Sequence, residues 1–110
     1  MIQIETSEFS SKGIRFAIVE GTFEVAHGFL YIIKNDLHEK LYGLVEDIFV
    51  EEDHRRKGYG NTLIQTIISE AKTQGCYKLI AQSRHSNTTI HKWYEKIGFK
   101  NHGLNFRMDF

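Results

Sequence analysis

The fold of this protein is decided by residues 41–75, which read LYGLVEDIFVEEDHRRKGYGNTLIQTIISEAKTQG. Residues 41–50 are rich in β-branched and aromatic side chains, and this composition favours a β-strand. Residues 61–74 carry apolar side chains at helical spacing, with polar side chains on the other face, and Gly75 follows as a natural helix stop. A charged loop with two glycines, residues 51–60, joins them. The stretch therefore predicts a strand, a loop and an amphipathic helix.

The flanking sequence predicts further elements on both sides. In chain order they are strands over residues 14–20 and 25–33, a polar loop over 35–40, a strand over 77–82, a helix over 87–97, and closing strands at Phe99 and over 104–110. A strand-helix-strand unit implies a parallel pair, and the early hairpin implies antiparallel pairing. We expect a single α/β (mixed α+β) domain over residues 1–110, with helices packed on a mixed, mostly antiparallel sheet.

The composition restricts the function. Lys plus Arg and Asp plus Glu are both 14 in the 110 residues, so there is no global charge to attract a nucleic acid or a membrane surface. The single cysteine, Cys76, cannot form an internal disulfide, and no long apolar run or signal peptide is evident. We expect a cytoplasmic protein without membrane or nucleic-acid partners. The histidines lack metal-ligand spacing, so no metal is expected.

The loop between the strand and the helix has the composition of an anion site. Unpaired backbone N–H groups and the helix dipole favour an anion at a helix N-terminus, and glycines allow close approach of a diphosphate. The residues concerned are Arg55, Arg56, Lys57, Gly58, Tyr59 and Gly60. The pattern is neither a Walker loop nor a dinucleotide-binding fingerprint. Two alternatives remain: a flexible basic turn, or a nucleic-acid contact, which the zero net charge disfavours.

Three elements in register carry a family resemblance. Arg55, Gly58 and Gly60 match a pyrophosphate loop, and residues 45–50, VEDIFV, match the strand before it. A second signature consists of Asn87 followed by residues 93–99, WYEKIGF. In these features the sequence resembles the GNAT acetyltransferases, and the resemblance covers residues 29–99.

The resemblance implies acetyl-coenzyme A as co-substrate and a central pair of parallel, splayed strands. The loop, residues 55–60, would hold the pyrophosphate. The backbone of Ile48, Phe49 and Val50 would pair with the pantetheine amides, as an added strand does. Asn87 would contact the pantetheine or phosphate arm, and a helix N-cap is a second, compatible role.

The resemblance also implies catalytic residues. Tyr94 corresponds to the general acid that protonates the leaving thiolate; as an alternative, it belongs to the apolar stripe of its helix. Glu46 would act as a base through a water, and Glu46 and Asp47 would hold a cationic amine. Adjacent residues in a regular strand face opposite sides, and the resemblance implies a β-bulge here that would change this. The alternative is one solvated and one salt-bridged acid.

The acceptor is less defined than the co-substrate. A likeness to diamine acetyltransferases suggests a small cationic amine, and Gln82, where protein N-terminal acetyltransferases carry a Glu, disfavours a protein N-terminus. The family usually has a strand and two helices before the hairpin that starts at Ile14, and about a dozen residues stand there. Three alternatives follow for the acceptor-binding site: it is open, it is completed by a second subunit in a homodimer, or it has been lost. The alternative function is a non-catalytic acyl-coenzyme A binding module.

Overall fold

The structure is a computed structural model and describes residues 1–35, 37 and 39–110. In chain order its elements are β1 (Lys12–Glu20), β2 (Phe23–Ile33), β3 (Tyr42–Val50), α1 (Tyr59–Thr73), β4 (Leu79–Ala81) and α2 (Thr88–Ile97). A short 3-10 turn, Glu52–His54, follows β3. The predicted polar loop contains Asp36 and His38, which lie outside the described residues.

The strands form one mixed sheet in the order β1-β2-β3-β4. β1 pairs with β2 and β2 pairs with β3, both antiparallel. β3, α1 and β4 form the expected strand-helix-strand unit, which supplies the parallel pair. The predicted mixed α+β fold class is confirmed. The described chain divides into two compact units, Met1–Ile80 and Ala81–Phe110.

The core of the first unit lies where α1 covers one face of the sheet. The helix buries side chains at the spacing that the sequence predicts, and β2 and β3 supply the other wall. The buried apolar residues are Val25, Ala26, Leu30, Ile32, Val45, Leu63, Ile64, Ile67 and Ala71. At Gly28 a Cβ would meet side-chain atoms of Ile48, Leu63 and Ile67 at 3.3 Å, so this glycine lets the helix lie close to the sheet.

The predicted closing strands are wrong, because residues 99–110 form no strand. The alternation of Leu104, Phe106, Met108 and Phe110 is typical of a strand, yet all four side chains are at least 70% exposed. Strand propensity reflects packing against a neighbouring strand, so an alternating pattern alone does not make one. β4 is also shorter than predicted, with three residues. Among the described residues, no helix is long and apolar enough to cross a membrane.

Candidate active site

The expected bulge lies in the middle of β3. His27 pairs with Phe49, but the next partner of β2, Phe29, pairs with Glu46, so β3 contains one residue more than β2 over this interval. Asp47 has a left-handed backbone, with a φ of 53°. The extra residue sends Ile48 to the α1 side of the sheet and leaves Glu46 and Phe49 together on the opposite face.

A second bulge, in β2, adds a carboxylate to the same face. Ala26 pairs with Ile18, and Glu24 pairs with Val19, so Val25 is the extra residue, and it is completely buried. The shift of register places Glu24 on the face of His27, although residues three apart in a regular strand face opposite sides.

An ordered row of charged groups results. Both terminal nitrogens of Arg15 donate to the Glu24 carboxylate, at 2.6 and 2.8 Å, and Nδ1 of His27 lies 3.4 Å from Oε2, the oxygen that also accepts from Nη2 of Arg15. The hydrogen bonds from Arg15 hold the pKa of Glu24 below its usual value. This row could not be predicted from the sequence, because the bulge that creates it leaves no local signal. The one hint was a histidine inside the apolar stretch of residues 25–33.

A shallow, open cavity of about 520 Å³ adjoins the β3 bulge. Its lining residues are His27, Phe29, Asp47, Ile48 and Phe49. Asp47 is exposed, and Glu46 is half-buried next to Phe29 in the sheet. The His27 ring packs between two aromatic rings, with centroids 5.9 Å from Phe29 and 5.5 Å from Phe49. This arrangement places carboxylates and an imidazole around apolar walls, which suits an organic cation.

The second half of β3 extends past its parallel neighbour. Two backbone bonds join the start of β3 to the segment that leads into β4: the N–H of Tyr77 donates to the carbonyl of Leu41 at 2.9 Å, and the N–H of Gly43 donates to the carbonyl of Lys78 at 3.0 Å. β4 ends after three residues, whereas β3 continues to Val50. The edge of residues 48–50 thus has room for an added extended group, as the family resemblance implies for pantetheine. The carbonyl of Val50 on this edge already accepts from Nε of Arg55 at 2.9 Å, whereas Phe49 pairs with His27 of β2.

The loop before α1 is shaped as an anion cradle. Arg56 and Gly58 have left-handed backbones, with φ of 66° and 83°, and Gly58 is the N-cap of α1. The carbonyl of Gly58 accepts from the N–H of Thr62 at 3.0 Å, so the N–H groups of the first turn have no intrahelical partner. The first turn carries no acidic residue. A Cβ at Gly58 would meet nothing within 4 Å, which leaves room for a bulky anion.

Cations surround this cradle, and one of them also fixes the loop. Arg55, Arg56 and Lys57 are all exposed. The Arg55 guanidinium lies over the ring of Phe49, 5.6 Å from its centroid, in addition to its bond to Val50. These observations fit a diphosphate, because oriented N–H groups, a helix N-terminus and cations converge on one open place.

The second unit holds the other two predicted site residues. Asn87 is the N-cap of α2, and its Oδ1 accepts from the N–H of Ile90 at 3.2 Å, so the capping role is confirmed. The amide NH₂ of Asn87 remains a possible donor to a ligand. Tyr94 is half-buried between the rings of Trp93 and Phe99, each 5.3 Å away. Burial raises the pKa of Tyr94, so its hydroxyl stays protonated at neutral pH, as a proton donor requires.

The predicted residues are thus divided between two units: the cradle, residues 48–50 and the two acids in the first, and Asn87 and Tyr94 in the second. Within the described part of the chain, no three side chains of the metal-binding types gather at one point.

Comparison with known proteins agrees with this geometry. Residues 6–99 match the family model described as "Acetyltransferase (GNAT) family". Glucosamine 6-phosphate N-acetyltransferase from Trypanosoma brucei brucei is 34% identical over 67 residues, which are 61% of this chain and 44% of that protein. Human N-acetyltransferase 8 is 30% identical over 108 residues, which are 96% of this chain and 47% of that protein.

A solved structure shows the same fold. Glucosamine-6-phosphate N-acetyltransferase from Arabidopsis thaliana is 28% identical, with a TM-score of 0.78, over 89% of this chain and 67% of that chain. The chain spans about half the length of the curated relatives it matches. The family model covers most of the chain, and the predicted loop and bulge are present in the structure. The chain belongs to the GNAT acetyltransferase family.

Proposed function

We propose that this protein is an N-acetyltransferase that moves the acetyl group of acetyl-coenzyme A to the primary amine of a small, cationic acceptor. The observation that carries the proposal is the cradle formed by Arg56, Gly58 and the first turn of α1. Its open space, left-handed backbone and neighbouring cations suit the diphosphate of coenzyme A. The free edge of residues 48–50 shortly precedes this cradle in the sequence, and it suits the extended pantetheine arm.

The acceptor would bind at the cavity beside the β3 bulge. Asp47 and Glu46 offer carboxylates to an ammonium group, and the rings of Phe29 and Phe49 offer apolar and cation–π contacts. An alkyl ammonium has a pKa of roughly 10, so it must lose a proton before it can attack. Glu46, acting through a water, is the base that the family resemblance suggests.

The reaction then needs two further groups. Attack of the amine nitrogen on the thioester carbon forms the amide and breaks the carbon–sulfur bond, and the carbonyl oxygen becomes negative on the way. A backbone N–H near the bulge would stabilise that charge. The proton of the Tyr94 hydroxyl would go to the departing thiolate.

The names of relatives support a small-molecule acceptor. Proteins named as glucosamine 6-phosphate N-acetyltransferases match from three organisms, at 32–34% identity. Their names indicate an amine on a phosphorylated sugar. A phosphorylated amino sugar therefore belongs among the acceptors to be tested, beside the diamines that the sequence suggests.

The test is thiol release from acetyl-coenzyme A with separate pools of polyamines, amino sugars and their phosphates, amino acids and peptides. Release stimulated by a single small-molecule pool would support the proposal and identify the acceptor class. Stimulation by peptides alone would reject the small acceptor. If acetyl-coenzyme A raises the melting temperature and no pool stimulates release, a non-catalytic acyl-coenzyme A binding module replaces the enzyme.

A further inference from the structure

We infer that His27 is a catalytic residue of this site: its imidazole takes the proton from the acceptor ammonium, while Glu46 and Asp47 hold the ammonium in place. This inference rests on the proposed function and changes the identity of the base within it. The observations that carry it are the row Arg15, Glu24 and His27, and the position of His27 in the wall of the cavity.

The geometry orients the imidazole. Nδ1 of His27 faces Glu24 at 3.4 Å, and Glu24 is itself held by Arg15 through two short bonds. When Nδ1–H donates to a carboxylate, the lone pair of the ring lies on Nε2. The rings of Phe29 and Phe49 pack against the imidazole and restrict its rotation. The side chain is 28% exposed and lines the open cavity.

The position is also suitable. His27 pairs with Phe49 and Glu46 pairs with Phe29, so the imidazole and the half-buried carboxylate occupy adjacent rows on one face of the sheet. Both bulges are needed for this, since one brings Glu24 to the face and the other keeps Glu46 and Phe49 on it. An ammonium held by the acids at the bulge would therefore lie beside the imidazole, directly or through one water.

The chemistry favours an imidazole over a carboxylate. A general base is most effective when its pKa lies near the working pH, and histidine is the side chain that ordinarily titrates between pH 5 and 8. The charged groups around His27 are Glu24 on β2, Arg15 on β1, and Glu46 and Asp47 on β3, and Arg55 stacks on the adjoining Phe49 ring. Glu24 stabilises the imidazolium as it forms, and Arg15 keeps Glu24 ionised.

The protons balance in this scheme. The first proton of the ammonium passes to Nε2 of His27 and then to solvent. The neutral amine forms the carbon–nitrogen bond, the carbon–sulfur bond breaks, and the thiolate takes up one proton. The second amine proton is lost to solvent. The products are the amide, the free thiol and one proton.

The experiment measures kcat and KM between pH 6 and 9, with the acceptor that best stimulates thiol release, for the full chain and the variants His27→Gln, Glu46→Gln and Glu24→Gln. Gln keeps a polar group of similar length at position 27 without a basic nitrogen. We expect His27→Gln to lower kcat at pH 7 by about 10²-fold. Activity should recover as the pH rises, because more of the amine is then neutral in solution. Glu46→Gln should mainly raise KM.

Glu24 is a positioning residue, and its variant has a distinct readout. Without the carboxylate only the rings of Phe29 and Phe49 hold the imidazole in place, so Glu24→Gln should lower kcat by less than His27→Gln does and leave KM nearly unchanged. His102→Gln, at an exposed position, is the matched control. Binding of acetyl-coenzyme A and the melting temperature of each variant show whether the fold is retained.

The outcomes separate the two proposals. If the unmodified chain releases no thiol with any amine, the proposed function fails, and this inference fails with it. If it releases thiol and His27→Gln keeps its kcat and pH profile, only the inference fails. The inference also fails if Glu46→Gln, rather than His27→Gln, shows the loss of kcat that a high pH restores.

Discussion

The loop before α1 depends on a single glycine. Gly58 has a φ of 83° and open space around its missing Cβ, so a side chain there would strain the backbone without a clash and would enter the cradle. We expect Gly58→Asp to weaken acetyl-coenzyme A binding about tenfold or more, because a carboxylate repels the diphosphate and about 1.4 kcal/mol corresponds to tenfold. Isothermal titration calorimetry measures the change.

Gly75 provides the matched control for this substitution. Its φ is 87°, it also has nothing within 4 Å of a Cβ position, and it lies at the other end of α1. Gly75→Asp therefore introduces the same strain and charge away from the cradle. Equal affinities of the two variants would show that the diphosphate binds elsewhere.

Tyr94 allows a second test on one side chain. Its raised pKa keeps the hydroxyl protonated, and its ring is held by Trp93 and Phe99. We expect Tyr94→Phe to lower kcat by roughly 10²-fold, since the thiolate loses its proton donor, and to leave the binding of acetyl-coenzyme A unchanged. Tyr42→Phe, at the start of β3, is the control for loss of a tyrosine hydroxyl. An unaltered kcat in Tyr94→Phe would reduce Tyr94 to a packing residue.

Among the elements, β3 contributes the most residues to the candidate site. Its bulge residue, Asp47, is left-handed, with a φ of 53°, and this conformation is tolerated by Asp and Asn but costs β-branched residues about 1–2 kcal/mol. We expect Asp47→Val to lower the free energy of unfolding by about that amount, and Asp47→Asn to leave it nearly unchanged. Urea denaturation measures both. Equal losses in the two variants would mean that the carboxylate, and not the backbone, stabilises the bulge.

For the first unit as a whole, the junction of α1 with the sheet determines stability. Ile64 is completely buried against this sheet, together with Leu30 and Ile67. We expect Ile64→Ala to lower the free energy of unfolding by about 2–5 kcal/mol, because it removes buried methyl groups and leaves a cavity. Substitution of the neighbouring, exposed Gln65 by alanine should change the free energy of unfolding by no more than about 0.5 kcal/mol. Thermal and urea unfolding test both values, and a small loss in Ile64→Ala would contradict the assignment of the core.

Much of the fold could be predicted from local patterns. The helical spacing of Leu63, Ile67 and Ala71 identified α1 and its buried face, and Asn87 and Gly98 marked the two ends of α2. The prediction of a closing strand over residues 104–110 was wrong, because a regular alternation of apolar residues does not show whether a neighbouring strand is there to pair with. The candidate site was also only partly predictable. The loop, residues 55–60, could be identified from its composition and its place between a strand and a helix, whereas the row of Arg15, Glu24 and His27 could not.

The sequence by itself determined the order of the elements up to α2 and the family, and it predicted an anion-binding loop, since periodicity, glycine positions and cations are local properties of the chain. Only the tertiary structure decided which side chains share a face. A bulge changes the face of every residue beyond it, and the register of two strands depends on both of them. The bulges at Val25 and Asp47 therefore set the surroundings of His27 and Glu46, and with them the chemistry proposed for this protein.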